Sequence, residues 1–339
     1  MSRPELTRED EEALERARGF GIHCIPVPTP FAVGRVNCYL LEGDPLTLID
    51  AGPRSGRSLE VLHAGIRDAG YEPEDIQLVT VTHQHIDHIG QVAEVASAAG
   101  AEVAALDLVV ERLFAFSVGS EEEDLMAVRL MVSHGVPVEI AEALKEVTES
   151  FRDWGAPVQV TRPLAAGSRI TMGSRSYEVL HRPGHSPSDT VFWDSERQLA
   201  FGGDHLLSHV SSNPLISKPL DGSGERTRAL IDYEASLRLT REMPVGLMLS
   251  GHGVPITDHA GLIDRRLASQ ERRTMKILGL LDDGGRSAHS IAEAIWGNIA
   301  LTQAYLTLSE VIGHLDVLIE RGQVRVLDRD DHSYYERIS

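Results

Sequence analysis

Three histidines and one aspartate lie within six consecutive positions of the segment THQHIDHIG, residues 82–90. The preceding run IQLVTVT is rich in β-branched residues and predicts a buried strand, whereas the following IGQVAEVASAAG has helical apolar spacing that ends at Gly100. The cluster therefore lies where a strand leads into a helix. Imidazole and carboxylate groups at such a turn suit a divalent metal, and a solvated polar turn is the alternative.

Alternation along a strand directs His83 and His85 to the same side, and Asp87 and His88 follow near the start of the helix. Zinc binds histidine nitrogen and aspartate oxygen in a tetrahedral or expanded shell, and a catalytic site keeps one position open for water. Four candidate ligands in one loop exceed what a single site of this kind needs. The spacing thus predicts two metal ions.

The pattern H-x-H-x-D-H after a strand resembles the signature motif of the metallo-β-lactamase superfamily. Four more segments are similar to the other motifs of that family and stand in the same order: LTLIDAGP with Asp50, HRPGHS with His185, LAFGGDHLL with Asp204, and MLSGHGVP with His252. Any one of these segments alone is a weak signal. Together with the histidine motif they form a specific match.

The resemblance implies a complete dinuclear ligand set. One metal would be bound by His83, His85 and His185, the other by Asp87, His88 and His252, with Asp204 bridging them. Asp50 is similar to the family's aspartate that orients a ligand histidine, and Asp87 is also a candidate for proton transfer. The implied fold class is α/β, a four-layer αββα sandwich. Zinc is the first expectation for both ions, with iron or manganese as alternatives.

Between the histidine motif and His185 the chain is longer than a sandwich requires, which predicts a helical insert at about residues 105–160. One helix is predicted over residues 120–135 with Ser120 as its cap, and a second one begins at Pro137. In relatives such inserts lie over the metal site. The candidate pocket walls are Phe114, Phe116, Phe151 and Trp154, although packing in the insert's own core is the favoured alternative for any one of them.

Residues 268–339 are predicted to form a small domain after a catalytic domain of residues 1–267. Three helical segments and a hairpin across DRDD predict a winged helix, and the tail resembles the extension on the branch of the superfamily that includes β-lactamase-like protein 2. Residues 271–339 contain eight Lys and Arg against eleven Asp and Glu, a net charge of −3. This balance disfavours nucleic acid. We therefore expect the tail to pack on the sandwich, or on a second subunit in a homodimer.

The whole chain of 339 residues has a formal charge of −19, which opposes binding to phosphate backbones and anionic membranes. No apolar stretch reaches membrane-spanning length and the N-terminal segment has no apolar signal core, so a cytoplasmic protein is expected. Cys24 and Cys38 precede the metal motif and are expected to be ordinary strand residues without a disulfide. Antibiotic hydrolysis is not the expected activity, because no β-lactamase subclass uses a bridging aspartate and one subclass uses a cysteine ligand.

The expected function is hydrolysis of a thioester, ester or lactone bond in a small acyl substrate by a metal-bridging hydroxide. The motifs resemble most those of the hydroxyacylglutathione hydrolase branch, whose members cleave thioesters. The sequence has no Gly-x-Ser-x-Gly segment, so a serine nucleophile has little support. The alternatives are an endoribonuclease or phosphodiesterase with the same metal site, oxygen chemistry at iron, and a metal-stabilised scaffold without catalysis.

Overall fold

The structure is a computed structural model that describes residues 6–223, 226–282, 284–329 and 331–338. The strands of its first sheet are β1 Ile22–Val27, β2 Val36–Leu41, β3 Thr47–Ile49, β4 Leu78–Thr80, β5 Glu102–Leu106 and β6 Arg162–Leu164. Those of the second sheet are β7 Arg169–Met172, β8 Arg175–His181, β9 Thr190–Asp194, β10 Leu199–Gly203 and β11 Leu247–Ser250. A small third sheet contains β12 Arg286–Ser287, β13 Val324–Arg329 and β14 His332–Arg337.

The helices of the first half are α1 Arg8–Arg18, α2 Gly56–Asp68, α3 Ile86–Ile89, α4 Val92–Ala99, α5 Val110–Phe114, α6 Phe116–Ser133 and α7 Val138–Ser150. Those of the second half are α8 Ala229–Arg241, α9 His259–Gly279, α10 Ala288–Trp296, α11 Ile299–Thr302 and α12 Ala304–Glu320. Short 3₁₀ turns lie at Pro73–Asp75, Asp107–Val109 and Arg152–Trp154. Within the described residues, no helix is both long and apolar enough to span a lipid bilayer.

The first sheet has the strand order β1-β2-β3-β4-β5-β6. Its first three strands are antiparallel, whereas β3 to β6 are parallel and need crossover connections. The helix α2 makes the crossover from β3 to β4 and fully buries Leu62 and Ile66, which lie four residues apart on one face of the helix. The helix α4 connects β4 to β5 and ends, as predicted, at Gly100, whose φ of 67° a glycine adopts without strain.

The second sheet has the order β11-β10-β9-β8-β7 and is antiparallel except for the β10–β11 pair. It packs face to face on the first sheet, with the rings of Tyr39 on β2 and Phe201 on β10 5.3 Å apart in the shared core. On its other side, Tyr233 and Leu237 of α8 pack against strand residues such as Met248. The layers are helix, sheet, sheet and helix, which confirms the predicted α/β class.

The insert between β5 and β6 consists mainly of α5, α6 and α7. The prediction that Ser120 caps the first long helix is wrong, because α6 begins at Phe116 and Ser120 Oγ donates to the Phe116 carbonyl at 2.7 Å. The helix begins early because α5 leads almost directly into α6, with the Ala115 N–H donating to the Glu111 carbonyl at 2.9 Å. The second predicted helix is α7, and Pro137 immediately precedes it.

The C-terminal part contains α10 to α12 and the small sheet of order β12-β14-β13, in which β13 and β14 form the predicted hairpin. Its core is shared with the insert, since Leu130 and Met131 of α6 pack in one cluster with Ile277 of α9 and Ile312 of α12. The helix α9 runs uninterrupted through the predicted boundary at residues 267 and 268. The winged-helix assignment and that boundary stay predictions.

Candidate metal centre

The residues of the histidine motif follow β4 at the edge of the first sheet. His83 and His85 lie in the turn after the strand, and α3 begins one residue later with Asp87 and His88 in its single turn. The other predicted ligands follow strands of the second sheet: His185 lies beyond β8, Asp204 directly after β10 and His252 after β11. The sandwich therefore collects side chains from both sheets at one edge.

Three imidazoles form the first cluster. His83 Nε2 lies 3.1 Å from His85 Nδ1, which lies 2.9 Å from His185 Nε2. Two ligand atoms at the usual zinc distance of about 2.1 Å and at tetrahedral angles are about 3.4 Å apart. The spacing of these nitrogens fits three ligands that point at one cation.

The second cluster contains Asp87, His88 and His252. His252 Nε2 lies 3.3 Å from Asp87 Oδ2. Asp204 lies between the two clusters, because its Oδ2 is 3.4 Å from His252 Nε2 and 3.6 Å from His185 Nε2, while its Oδ1 is 3.5 Å from His88 Nε2. The structure thus brings together all seven residues predicted as ligands.

Several polar atoms at the centre are buried without a hydrogen-bond partner. Among the described residues, His88 Nε2, His252 Nε2 and Asp204 Oδ1 have none. Such atoms cost free energy in a folded chain unless another group satisfies them. A divalent cation would do so, and a donor set of imidazole and carboxylate suits zinc, iron or manganese.

Hydrogen bonds to main-chain carbonyls orient two of the histidine rings. His185 Nδ1 donates to the Asn213 carbonyl at 3.1 Å, and His252 Nδ1 donates to the Arg35 carbonyl at 2.8 Å. A carbonyl can only accept, so the proton sits on Nδ1 and the lone pair of Nε2 points to the centre. These two acceptors cannot be inferred from the sequence, because a main-chain oxygen carries no residue-type signature.

Asp50 performs the same task with its side chain. Its Oδ2 lies 2.7 Å from His88 Nδ1 and accepts from Thr82 Oγ1 at 2.7 Å, while its Oδ1 accepts from the Thr82 N–H at 2.9 Å. The residue is buried and has a φ of 56°, in the left-handed region where aspartate is tolerated better than most residues. Asp50 therefore lies where the sequence resemblance places it, one contact away from the centre.

The two clusters differ in the charge they favour. Burial, together with the neighbouring histidines, holds the pKa of His83 well below its ordinary value, and burial lowers the pKa of His85 to about 3. Burial opposes charge on His88 as well, but nearby carboxylates, first that of Asp50, outweigh it and raise the pKa of His88 to about 10. The first cluster thus offers neutral imidazoles, the form that binds metals, and the second attracts positive charge.

Gly251 provides the space in which the two clusters approach each other. A Cβ at this position would lie 2.3 Å from Asp204 Oδ1 and 2.8 Å from His88 Cε1, closer than real Cβ contacts come. The segment MLSGHGVP marks His252 as a ligand by residue type. It does not reveal the steric role of the glycine before it.

A cavity of about 870 Å³ opens on the centre. Metal-centre side chains contribute its polar end: His85, Asp87, His185 and Asp204. Phe31, from the loop between β1 and β2, and Phe151, after α7, also line it, and their ring centroids are 5.5 Å apart. The cavity is thus enclosed jointly by the sandwich and the insert.

Two of the four aromatic residues predicted as pocket walls, Phe116 and Phe151, line this cavity. Phe114 lies outside the lining and is 65% exposed. Trp154 also lies outside it, and its carbonyl accepts from the Arg54 N–H at 2.7 Å, so it joins the end of the insert to the first sheet's loops.

Comparison with known proteins places this centre in a family context. The probable metallo-hydrolase YqjP of Bacillus subtilis (strain 168) is 32% identical over 301 residues, which cover 87% of this chain and 91% of that protein. The hydroxyacylglutathione hydrolase GloC of Haemophilus influenzae is 24% identical over 239 residues, 66% of this chain and 88% of GloC. The beta-lactamase-like protein 2 homolog of Drosophila melanogaster is 23% identical over 315 residues, 91% of this chain and 90% of that protein.

A solved structure has the same fold. The crystal structure of the metallo-beta-lactamase family protein TTHA1429 from Thermus thermophilus aligns with a TM-score of 0.77 at 25% identity, covering 94% of this chain and 99% of that one. The profile of the metallo-beta-lactamase superfamily matches residues 32–252, the stretch that contains every residue of both clusters. The chain therefore belongs to the metallo-beta-lactamase superfamily.

Proposed function

We propose that the protein is a hydrolase that binds two divalent ions and cleaves a thioester, ester or lactone bond. The observation that carries this proposal is the pair of ligand clusters that meet at Asp204 and open into one cavity. The proposed ligands are His83, His85 and His185 for one ion, Asp87, His88 and His252 for the other, and Asp204 for both. Zinc is the ion proposed first, with iron or manganese as alternatives.

When bound, two such ions lower the pKa of a water molecule and polarise the carbonyl group of a substrate. The side chains of the protein would orient the reacting groups. Asp50 holds the Nδ1 proton of His88, which keeps the Nε2 lone pair directed at the centre. To the carboxylate of Asp87 we assign the transfer of a proton from the attacking water to the leaving group. Phe31 and Phe151 cover the cavity with apolar surface and exclude water from the bound acyl group.

Of the three proposed bonds, a thioester needs the least acid assistance to its leaving group. A thiol has a pKa of about 8.5, so a thiolate leaves with little help from an acid, whereas an alkoxide or an amide nitrogen needs more. The relative named as a hydroxyacylglutathione hydrolase supports the same choice. Esters and lactones remain within the proposal because the attack on their carbonyl groups is the same.

Binding of a nucleic-acid backbone, which the alternative needs, would be favoured by cationic side chains free to contact phosphate. Within the described residues, each Lys or Arg of the cavity lining is paired with a carboxylate: Arg112 with Glu123 at 2.5 Å, Lys145 with Glu149 at 3.0 Å, and Arg152 with Asp124. The formal charge of −19 acts in the same direction. We therefore favour an uncharged acyl group over nucleic acid as the substrate.

The test is hydrolysis by metal-loaded protein of acyl thioesters, aryl esters and lactones, beside single-stranded RNA at moderate salt. We expect two ions per chain by elemental analysis, turnover of an acyl substrate and intact RNA. His85→Ala and Asp204→Asn should each lower kcat/KM by about 100-fold or more, whereas His63→Ala, on α2, should match the wild type. A protein with two bound ions that cleaves none of the acyl classes would overturn the proposal, and a single iron with oxygen consumption would favour oxygen chemistry.

A further inference from the structure

A loop of the catalytic part, residues 212–217, runs from the metal centre to the C-terminal tail; we call it the linking loop. At its start, Ser212 Oγ donates to the Asp204 carbonyl at 2.6 Å, and the Asn213 carbonyl accepts from His185 Nδ1 at 3.1 Å. The Leu215 N–H donates to the His185 carbonyl at 3.4 Å. The loop thus contacts two of the proposed ligands directly.

The other side of the linking loop is held by α12 of the tail. The Asn213 side-chain amide donates to the Leu306 carbonyl at 3.3 Å, and the Tyr305 hydroxyl donates to the Ile216 carbonyl. Ile216 is 1% exposed and packs in the core that the tail shares with the insert. Asn213 therefore contacts both the tail, through its side-chain amide, and His185, through its carbonyl group.

A second attachment follows the linking loop. The Thr227 N–H donates to the Ser217 carbonyl at 2.8 Å, and the Ser217 N–H donates to the Thr227 hydroxyl oxygen at 3.1 Å. The adjacent Arg226 guanidinium donates to both carboxylate oxygens of Asp316 on α12 at 2.6 and 2.7 Å. Asp316 is 5% exposed, so this two-pronged contact is largely protected from water. The tail thus contacts the linking loop at its start, through Asn213, and the segment paired with its end, through Arg226.

Tail residues also form part of the cavity wall. Tyr305 and Leu306 line the same cavity as His185 and Asp204, together with apolar residues of the insert such as Leu144. The cationic side chains of the lining are already paired, as described above. The wall therefore offers apolar contact to a substrate, and a cavity of about 870 Å³ lies in the range that encloses a drug-sized ligand.

We propose that the C-terminal tail is part of the substrate site, in which Tyr305, Leu306 and the linking loop select an apolar acyl group by its length. The inference rests on the proposed function for the identity of the acyl group. It assigns to the tail a role in specificity, and to Asn213 a role in positioning His185.

The first test compares S-acyl-N-acetylcysteamine thioesters from acetyl to dodecanoyl, whose carrier has no charge. Each fully buried methylene contributes up to about fourfold in kcat/KM, so we expect a rise of at least about tenfold from butanoyl to octanoyl. A parallel measurement uses the fluorescence of 11-(dansylamino)undecanoic acid, which reports binding without turnover. A flat chain-length profile, or no binding of this probe, would overturn the inference.

The second test uses Leu306→Asp with Leu239→Asp as its matched control. Both leucines are exposed, at 40% and 59%, and only Leu306 lines the cavity. We expect Leu306→Asp to lower kcat/KM for dodecanoyl at least about tenfold more than for acetyl and to weaken probe binding, while Leu239→Asp matches the wild type. Equal losses for both acyl lengths, or none, would contradict the proposed role of the tail.

Leu306→Ala keeps the experiment decisive if Leu306→Asp does not fold. Removal of the partly exposed isobutyl group from the cavity wall should raise the Kd of the probe about fivefold, the contribution of one to two buried methylene groups. An unchanged Kd would count against the inference. Probe binding that responds to these variants without cleavage of any acyl substrate would refute the proposed hydrolase while leaving the pocket assignment intact. Cleavage without length preference would support the proposed hydrolase and refute the assignment of the acyl pocket.

Discussion

Replacement of Asp50 by asparagine would test whether this carboxylate fixes the metal-binding tautomer of His88 in the second cluster. The buried carboxylate accepts from the Thr82 N–H and hydroxyl at 2.9 and 2.7 Å and lies 2.7 Å from His88 Nδ1. Asparagine keeps the shape and tolerates the φ of 56°, so the backbone gains no strain. Its amide N–H, however, would face Nδ1 and favour the tautomer with the proton on Nε2, the nitrogen that points to the centre.

We expect Asp50→Asn to weaken metal binding at the second cluster by about 10-fold to 100-fold, as for other partners of ligand histidines. This corresponds to about 1.4 to 2.8 kcal/mol. Zinc titration against a competing chelator would measure this loss of affinity. At a free zinc concentration, set by the chelator, that just fills both sites of the wild type, the variant should retain one tightly bound ion.

A buried aspartate elsewhere provides the control for this variant. Asp194 is 3% exposed and accepts from the Glu196 and Arg197 N–H groups at 3.0 and 3.2 Å, at the end of β9. Asp194→Asn should affect stability without changing the zinc titration. If Asp50→Asn bound two ions as tightly as the wild type, or lost no more affinity than Asp194→Asn, the proposed tautomer control at His88 would be refuted.

Removal of bound metal by a chelator should lower the midpoint of thermal unfolding, because an ion at 100 times its Kd adds about 2.7 kcal/mol to the free energy of unfolding; calorimetry before and after zinc is restored would measure this. Gly251→Ala should abolish metal binding with unchanged far-ultraviolet circular dichroism, since its Cβ would lie 2.3 Å from Asp204 Oδ1, whereas Gly279→Ala, with no atom within 4 Å, should bind normally. Arg226→Met should lower the free energy of unfolding in urea by about 3 kcal/mol, because it leaves the Asp316 carboxylate buried and unpaired; an unchanged midpoint would show that the tail is held by other contacts.

The clustering of the proposed ligand residues could be predicted from the sequence because residue type and strand position both point to the same edge of the sandwich. His83 and His85 follow an apolar strand run, and His252 follows another, so their meeting requires only that the two sheets pack face to face. The residues that orient these histidines could not be predicted from the sequence. Asn213 and Arg35 act through carbonyl groups, which every residue has, and only the folded chain selects which carbonyl lies beside an imidazole.

The insert shows a similar limit. Its helix boundary signals predict two helices, and the structure has α6 and α7 close to the predicted positions. Periodicity identifies the apolar face of a helix but not the partner that covers it. Met131 could have packed within the insert or on the sandwich, and it packs instead with Ile312 and other residues of the tail. The predicted cap at Ser120 was wrong for a related reason, because the end of α5 already supplies the first turn of α6.

The burial of α12 bears on the role of the tail. A helix that reads nucleic acid must present an open face to a groove about 12 Å wide. Most of α12 is instead buried, since it packs on α8, α9 and α10. Its acidic residues are paired with arginines of the surrounding elements: Glu310 with Arg273 at 2.9 Å, Asp316 with Arg226 at 2.6 Å, and Glu320 with Arg228 at 3.5 Å. Because most of its surface is covered and its acidic side chains are paired, α12 has no open face to place in a groove, which argues against nucleic-acid binding through this helix.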